Sequence, residues 1–277
     1  MTAQHRKLFV TKASGATEPF SAGKLLYSLK VAGASPKRAN EIVEEVRLRL
    51  KSGVHTRDIH RMALEFLEGG ASSLPARYNL KQALLELGPT GHPFETFVGH
   101  VFVSLGYRTQ IRQMIRGRCV AHEVDVVARK GNEHIVVEVK FHNHPGFKTD
   151  VKTVLYVKAR FDDIVAGSAR RPHVHQIWLV TNTKFTSEAV TYALCSGIQL
   201  LGWNYPVSGS LQRLAEDAGL IPITALTTLS AKNKQQLLSE GTVLCRQLSS
   251  ERPLSGLSIS SAQRQAILRE AEAVMRH

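Results

Sequence analysis

The chain has 277 residues, of which 43% are hydrophobic and 21% charged, and a formal net charge of +13. This length exceeds the usual size of one domain, so we expect two or three structural units. The sequence contains neither an apolar run long enough to span a membrane nor a signal-peptide pattern, and its few cysteines argue against a disulfide framework. We therefore expect a cytoplasmic protein without a membrane partner.

The positive charge is shared between the first two thirds of the chain. Residues 1–88 contain 14 Lys and Arg against 8 Asp and Glu, and residues 89–205 contain 14 against 9. A basic surface of this kind attracts phosphate polyanions through counterion release. The charge therefore predicts DNA as a partner.

Residues 1–88 are predicted to form a small helical unit with a short strand hairpin. Residues 7–12 have the pattern of a strand, and Ser14 and Gly15 are typical turn residues. Ser21 is a suitable N-cap for a helix that begins near Ala22. Apolar residues at helical spacing predict further helices over residues 36–51, 56–67 and 75–87.

This first unit resembles the ATP cone, a small nucleotide-binding regulatory module. The matching positions are Val10, Lys12, Gly15, Pro19, Phe20, Lys24, Leu25, Tyr78 and residues 56–59. The resemblance implies ATP or dATP as an effector, with Val10, Lys12, Gly15 and Lys24 at the nucleotide and the lysines reaching phosphate. Ala13 and Ser14 stand where ATP cones often have Arg and Asp, so a bidentate phosphate partner is missing. Weaker nucleotide binding, a different nucleotide and a purely docking role stay open.

Residues 89–206 follow a short Gly- and Pro-containing linker and include a predicted β-hairpin. Residues 122–129 and 134–141 are rich in Val and Ile, and residues 130–133 between them have turn character. Because side chains two apart on a strand share a face, Glu138 and Lys140 should project together while Val137 and Val139 face a core. Asp125 should lie across the ladder from Glu138 and Lys140.

This arrangement of two acids and a lysine indicates metal-dependent phosphodiester chemistry. Neighbouring carboxylates repel each other unless a cation lies between them, and Mg²⁺ prefers carboxylates, water and phosphate oxygens. A lysine beside such a site can orient the attacking water or offset charge that develops on phosphate. The alternative is that Asp125, Glu138 and Lys140 are ordinary solvated residues on the face of a sheet.

Residues 89–205 resemble the Mrr-like branch of the PD-(D/E)XK nuclease superfamily, which carries an acid and then (D/E)-x-K on the neighbouring strand. The resemblance implies Mg²⁺ or Mn²⁺ as cofactor, with Asp125, Glu138 and the main-chain carbonyl of Val139 as metal ligands. It also implies that Lys140 positions the water and that Glu95, on the first helix, supports the metal site. Many members have Gln or Cys where this chain has Val139, but a main-chain ligand does not depend on the side chain.

Zinc is a second hypothesis for the same region, because four histidines lie there. They are His122, His134, His142 and His144. Structural zinc usually requires cysteines or a close His and Cys group. The three cysteines, Cys119, Cys195 and Cys245, are scattered. A histidine near phosphate chemistry is therefore more often a phosphate contact or a packing residue.

Residues 207–277 are predicted to be helical. Ser230 is a suitable cap for a helix over residues 231–240, and Ser261 for a last helix in which Ile267 and Ala271 share an apolar face. The short Ser-capped helices resemble a helix-hairpin-helix unit, which implies contact with the DNA backbone. The last helix could pack on its own chain or on a second copy, and double-strand cutting favours a homodimer or higher oligomer.

These observations predict an α/β protein made of α+β modules: an ATP-cone-like unit, a mixed-sheet nuclease core flanked by helices, and a helical end. The function they indicate is a metal-dependent DNA endonuclease that adenine nucleotide regulates. Two alternatives stay open. One is a DNA-binding or regulatory protein that does not cleave, and the other is a structure-specific nuclease for repair or branched junctions.

Overall fold

The computed structural model describes residues 8–12, 15–68, 74–167, 174–249 and 252–275. Ala13 and Ser14, at which the sequence departs from the ATP-cone pattern, lie outside these ranges. Within the described residues, no helix is both long and apolar enough to cross a membrane.

The first unit combines a small three-stranded sheet with helices. Its elements are β1 (Phe9–Thr11), β2 (Thr17–Pro19), α1 (Ala22–Val31), α2 (Pro36–Arg49), β3 (Val54–His55), α3 (Thr56–Glu68), α4 (Leu74–Tyr78) and α5 (Leu80–Leu85). Strand β1 pairs antiparallel with β2 and parallel with β3. The hydroxyl of Ser21 accepts a hydrogen bond from the N–H of Lys24, which confirms the predicted cap.

The predicted helix over residues 75–87 is instead divided at Asn79 into α4 and α5. The side-chain carbonyl of Asn79 lies 3.2 Å from Nε2 of His60, so this residue is bound to α3. The two pieces also face different cores. Tyr78 packs with the buried residues of the first unit, whereas Leu80, Leu84 and the following Leu87 pack with later parts of the chain.

The second unit is built on a five-stranded mixed sheet. Its elements are α6 (His92–Ser104), β4 (Arg108–Arg116), β5 (Ala121–Lys130), β6 (Glu133–Lys140), β7 (Lys148–Thr149), α7 (Val151–Gly167), β8 (Gln176–Thr181), β9 (Lys184–Phe185), α8 (Ser187–Ser196) and β10 (Gln199–Leu201). The strand order is β10-β8-β6-β5-β4, and β7 and β9 form a separate two-stranded ribbon. The β4–β5 and β5–β6 pairs are antiparallel, and the β6–β8 and β8–β10 pairs are parallel.

Helices cover both faces of the central part of this sheet. On one face, Phe94 and Phe97 of α6 are fully buried in the same cluster as Val137 of β6. On the other face, Val157 of α7 is buried with Val136 of β6. The alternation of side chains along β6 therefore serves two cores, which fixes the register of the strand that carries Glu138 and Lys140.

The C-terminal unit is helical and shares a core with α6. It consists of α9 (Leu211–Asp217), α10 (Ala231–Ser239) and α11 (Ser261–Met275), with 3₁₀ turns at Ile223–Ala225, Cys245–Leu248 and Arg252–Leu254. The predicted apolar face of α11 is confirmed, because Ile267 and Ala271 are buried against this chain's own core. The predicted cap was wrong by one residue. Ser260 caps the helix, because its hydroxyl accepts from the N–H of Gln263 while its own N–H donates to Oε1 of Gln263.

Candidate active site

The β5–β6 hairpin brings the predicted acids together. Val126 pairs with Val137 in the ladder, so Asp125 and Glu138 follow as the next positions on the two strands. The main-chain N–H of Val139 donates a hydrogen bond of 2.7 Å to Oδ2 of Asp125. Val137 and Val139 face the core around α6, as the period of the strand predicts.

Glu138 lies between two cations. Its Oε1 accepts a hydrogen bond of 2.9 Å from Nζ of Lys140, and its Oε2 accepts one from Nη1 of Arg160 on α7. Nη2 of Arg160 donates to the main-chain carbonyl of Glu123 on β5. Glu138 is only 9% exposed, so these charge-assisted contacts compensate a carboxylate that has lost most of its water.

Asp125 has an unusual electrostatic environment. Burial, followed by the charge of nearby Glu138, raises the pKa of Asp125 to about 7, although the N–H of Val139 opposes this shift. Glu95 raises it further and Lys140 lowers it. A nearby cation would therefore strongly stabilise the ionised form of this carboxyl.

Glu95 on the first helix lies within electrostatic reach of Asp125 and Glu138. It lies in the first turn of α6, and burial raises its pKa, with the charges of Glu123 and Glu138 adding to the effect and Arg112 opposing it. Its Oε2 is buried without a hydrogen-bond partner in the part of the chain that the structure describes. Nε of Arg112 lies 4.0 Å from this oxygen.

These residues fit a divalent metal ion. Three carboxylates share a partly dehydrated site, and one buried carboxylate oxygen accepts no hydrogen bond from the described residues. No group of three or more His, Cys, Asp and Glu side chains within the described ranges is arranged to hold a metal by itself. A metal would thus use Asp125 and Glu138 with main-chain and water oxygens, and each oxygen of Glu138 has a second lone pair beside the one that its cation occupies.

Sequence reasoning assigned no role to Arg160 or Arg112, and the structure places both at the site. Arg160 occurs on α7 at helical spacing from buried Val157 and Ile164, so a charged residue on an apolar face was the available signal. Arg112 is a non-glycine residue with a φ of 51° on β4, opposite Asp125. A β-strand pattern carries no signal for such a local irregularity.

The histidines have other partners. Nε2 of His122 lies 2.8 Å from Oδ2 of Asp163, and Nε2 of His142 lies 3.0 Å from Oγ1 of Thr149. The ring of His134 contacts that of His175, and the ring of His144 contacts that of Phe147. His142 also stacks on Phe147, so these histidines contact a carboxylate, a hydroxyl or other rings.

The lysines predicted to bind nucleotide meet at one carboxylate. Nζ of Lys12 lies 2.6 Å from Oε2 of Glu18, and Nζ of Lys24 lies 3.1 Å from its Oε1. The two lysines lower the pKa of Glu18 through hydrogen bonds and charge. Val10 is 4% exposed in the core of the first unit, and Gly15 has a φ of 81° at the turn, a conformation that favours glycine.

Comparison with known proteins separates the chain into three matched segments. Residues 8–80 match an ATP cone domain, residues 88–203 a restriction endonuclease, and residues 221–275 an AF1548-like C-terminal domain. An uncharacterized protein of Archaeoglobus fulgidus is 37% identical over 172 residues, which are 61% of this chain and 95% of that protein. The crystal structure of AF1548, a protein of unknown function, is 34% identical with a TM-score of 0.58, and the match covers 67% of this chain and 98% of that chain.

This chain belongs to the AF1548 family. It joins an ATP cone to an Mrr-like restriction endonuclease domain, which confirms both sequence resemblances. A structure of the MspJI restriction endonuclease with a 27-mer oligonucleotide is 16% identical, with a TM-score of 0.34, and covers 85% of this chain and 48% of that one. A likeness of that size carries no argument about fold or function.

The raised pKa of Asp125 predicts an effect on stability. The folded carboxyl has a pKa of about 7, whereas an ordinary aspartate has a pKa of 3.8. The folded chain therefore binds the extra proton, and its free energy of unfolding falls as pH rises between these values. Asp125→Asn removes this titration and keeps an acceptor for Val139. In EDTA at about pH 8, we expect the variant to be more stable than wild type by about 2–4 kcal/mol, and nearly equal at about pH 4.

Chemical denaturation at both pH values measures this difference. Asp217→Asn, which changes an exposed carboxylate paired with Arg213, is the control and should show a change below about 0.5 kcal/mol. An Asp125→Asn variant with the same stability relative to wild type at both pH values would contradict the electrostatic account.

Proposed function

We propose that this AF1548-family protein is a metal-dependent DNA endonuclease that adenine nucleotide regulates. The observation that carries the proposal is the set of Asp125, Glu138 and Lys140 on adjoining strands of a restriction endonuclease domain. Glu95 completes the acidic side of this site. Mg²⁺ or Mn²⁺ would be bound by Asp125, Glu138 and the carbonyl of Val139.

A bound metal would lower the pKa of its water and neutralise charge on the phosphate. The chain's own residues orient the carboxylates that would hold the metal. The N–H of Val139 orients the carboxylate of Asp125, and Arg160 orients that of Glu138. Nζ of Lys140 lies beside Oε1 of Glu138, where it can hold a water or a phosphate oxygen next to the acids.

The edge of the sheet supports DNA as the substrate. Strand β4 is the outer strand next to β5, and Arg108, Arg112 and Arg116 are all exposed along it. Exposed arginines along one strand can contact phosphates, which position a nucleic acid without reading its sequence. The C-terminal helices are a second proposed contact with the DNA backbone.

The ATP cone supports regulation by ATP or dATP. Lys12 and Lys24 already converge on a carboxylate, so a nucleotide phosphate would compete with Glu18 for two cations. One active site per chain favours two copies for cutting both strands, so we include a homodimer or higher oligomer in the proposal. We also include the cytoplasm as its location.

A second candidate is a DNA-binding protein that does not cleave. Glu138 favours it, because both of its oxygens are already bound by cationic side chains. In this case the site would be structural, with its charge already compensated by Lys140 and Arg160.

A DNA cleavage assay tests the proposed nuclease activity. With Mg²⁺ or Mn²⁺, wild type should cut DNA. Asp125→Asn should lower the rate at least about 100-fold because it removes an anionic metal ligand, and Lys140→Gln should do so because it removes a positive charge beside the phosphate. EDTA should abolish cutting. The substrates are supercoiled, linear, branched and single-stranded DNA, with and without ATP. Lys158→Gln, which breaks a pair with Asp162 on the surface of α7, is the control and should cut normally.

Cutting by Asp125→Asn at the wild-type rate would make the assignment wrong. DNA binding that is salt-sensitive and unaccompanied by metal-dependent cutting of any substrate would favour the second candidate.

Nucleotide binding tests the proposed regulation. Titration calorimetry of the full chain should show binding of ATP or dATP, and Lys12→Gln or Lys24→Gln should each weaken it about 5- to 10-fold by removing a charged phosphate partner. Lys30→Gln, an exposed lysine near the end of α1, is the matched control. If wild type binds neither nucleotide, the regulatory part of the proposal is wrong and the nuclease part is unaffected.

A further inference from the structure

A cleft of about 880 Å³ lies between the ATP cone and the nuclease domain. Its cationic lining residues come from both domains. They are Lys12, Arg57, Arg61, Lys81, Lys148 and Lys184. A volume of this size suits a nucleotide-sized ligand rather than a nucleic acid duplex. We call this space the interdomain cleft.

The interdomain cleft has more positive charge than the described carboxylates neutralise. Lys12 is paired with Glu18, and Arg61 with Asp58. The other four cations form no salt bridge with any carboxylate in the described part of the chain. Nζ of Lys81 also lies 6.0 Å from the centroid of the Trp203 ring, and Lys148 has Glu188 within electrostatic reach. Because cations that line one cavity repel each other, the cleft is better suited to an anion with several charges than to a neutral ligand.

Lys148 and Lys184 contribute the repulsion on the nuclease side. They are direct partners in the register of the β7–β9 ribbon, and like charges in that position destabilise a strand pair. Lys81 is also close enough to Lys184 to be repelled by it. Burial, and then the positive charge of Lys184, lower the pKa of Lys81. A polyphosphate between these three side chains would remove the repulsion and supply acceptors for their N–H groups.

The opposite wall supplies donors from the ATP cone. Thr56 and Arg57 form the start of α3, a helix of 13 residues whose free N–H groups and positive dipole end border the cleft. The neutral side chains of Asn79 and Gln82 also line it. Phosphate donors therefore lie on both sides of one space.

The ribbon is linked to the catalytic strand. Thr149, the neighbour of Lys148, contacts the ring of His142 through its hydroxyl at 3.0 Å. His142 follows Lys140 by two residues, and its main-chain N–H and carbonyl are both bonded to the side chain of Asn182. Asn182 is in turn two residues before Lys184. A ligand that orders the ribbon would thus order the end of β6 that carries Lys140.

We propose that the interdomain cleft binds the polyphosphate chain of a nucleoside triphosphate, with Lys148 and Lys184 of the nuclease domain completing the site. Occupancy of the cleft sets the position of Lys140 through His142 and the β7–β9 ribbon. This inference rests on the proposed function and adds the nuclease-side residues through which the nucleotide acts.

The test combines binding and cleavage on the full chain. Lys148→Gln and Lys184→Gln should each weaken the binding of ATP or dATP in titration calorimetry about 5- to 10-fold. Nucleotide should no longer change the rate at which either variant cleaves DNA. Lys152→Gln, an exposed lysine on α7 outside the cleft, is the control and should behave as wild type.

Inorganic triphosphate identifies the recognised group. Displacement of ATP by triphosphate supports recognition of the phosphate chain itself, and ATP binding that depends on Lys148 and Lys184 but resists triphosphate supports recognition of the nucleoside triphosphate as a whole.

Three results would overturn the inference. If wild type binds ATP and both variants bind it equally well, the contacts from Lys148 and Lys184 are rejected and the rest of the proposed function is not. Loss of DNA affinity without loss of nucleotide affinity would make the cleft part of the DNA surface. Absence of ATP, dATP and triphosphate binding to wild type would remove the nucleotide regulation together with this inference, whereas absence of metal-dependent cutting would reject only the nuclease.

Discussion

The pairing of β5 with β6 is the constraint on which the site depends. It places the N–H of Val139 on the carboxylate of Asp125, and it turns Glu138 and Lys140 to one face while the intervening valines enter a core. A slip of one residue would exchange these faces, at the cost of burying a charged pair and exposing aliphatic side chains. The packing of both faces of the sheet therefore protects the geometry of the acids.

The structure shows a site whose charges are balanced by partners from several elements. Arg160 comes from α7, Glu95 from α6 and Arg112 from β4, so three separate elements meet at the hairpin. Burial explains why Asp125 resists ionisation, and the same burial makes a cation at this position valuable. The proposed metal chemistry and the predicted pH dependence of stability are thus two consequences of one dehydrated cluster of carboxylates.

The sequence predicted those features that depend on local patterns. The hairpin, the shared face of Glu138 and Lys140, and the Ser21 cap follow from strand period and capping chemistry, and the structure confirms them. The roles of Arg160 and Arg112 depend on long-range packing, which no local pattern encodes. The division of the predicted helix at Asn79 has the same origin, because a contact with His60 in another helix and a change of core accompany it.

The most direct test of the account is the location of a bound metal. A crystal of the full chain soaked in Mn²⁺ should give an anomalous scattering peak with Asp125, Glu138 and the carbonyl of Val139 as its protein ligands, and the Asp125→Asn variant should lose it. A peak at the histidines, or none near Asp125 at a concentration that supports cleavage, would contradict the central claim that these strands form the metal site.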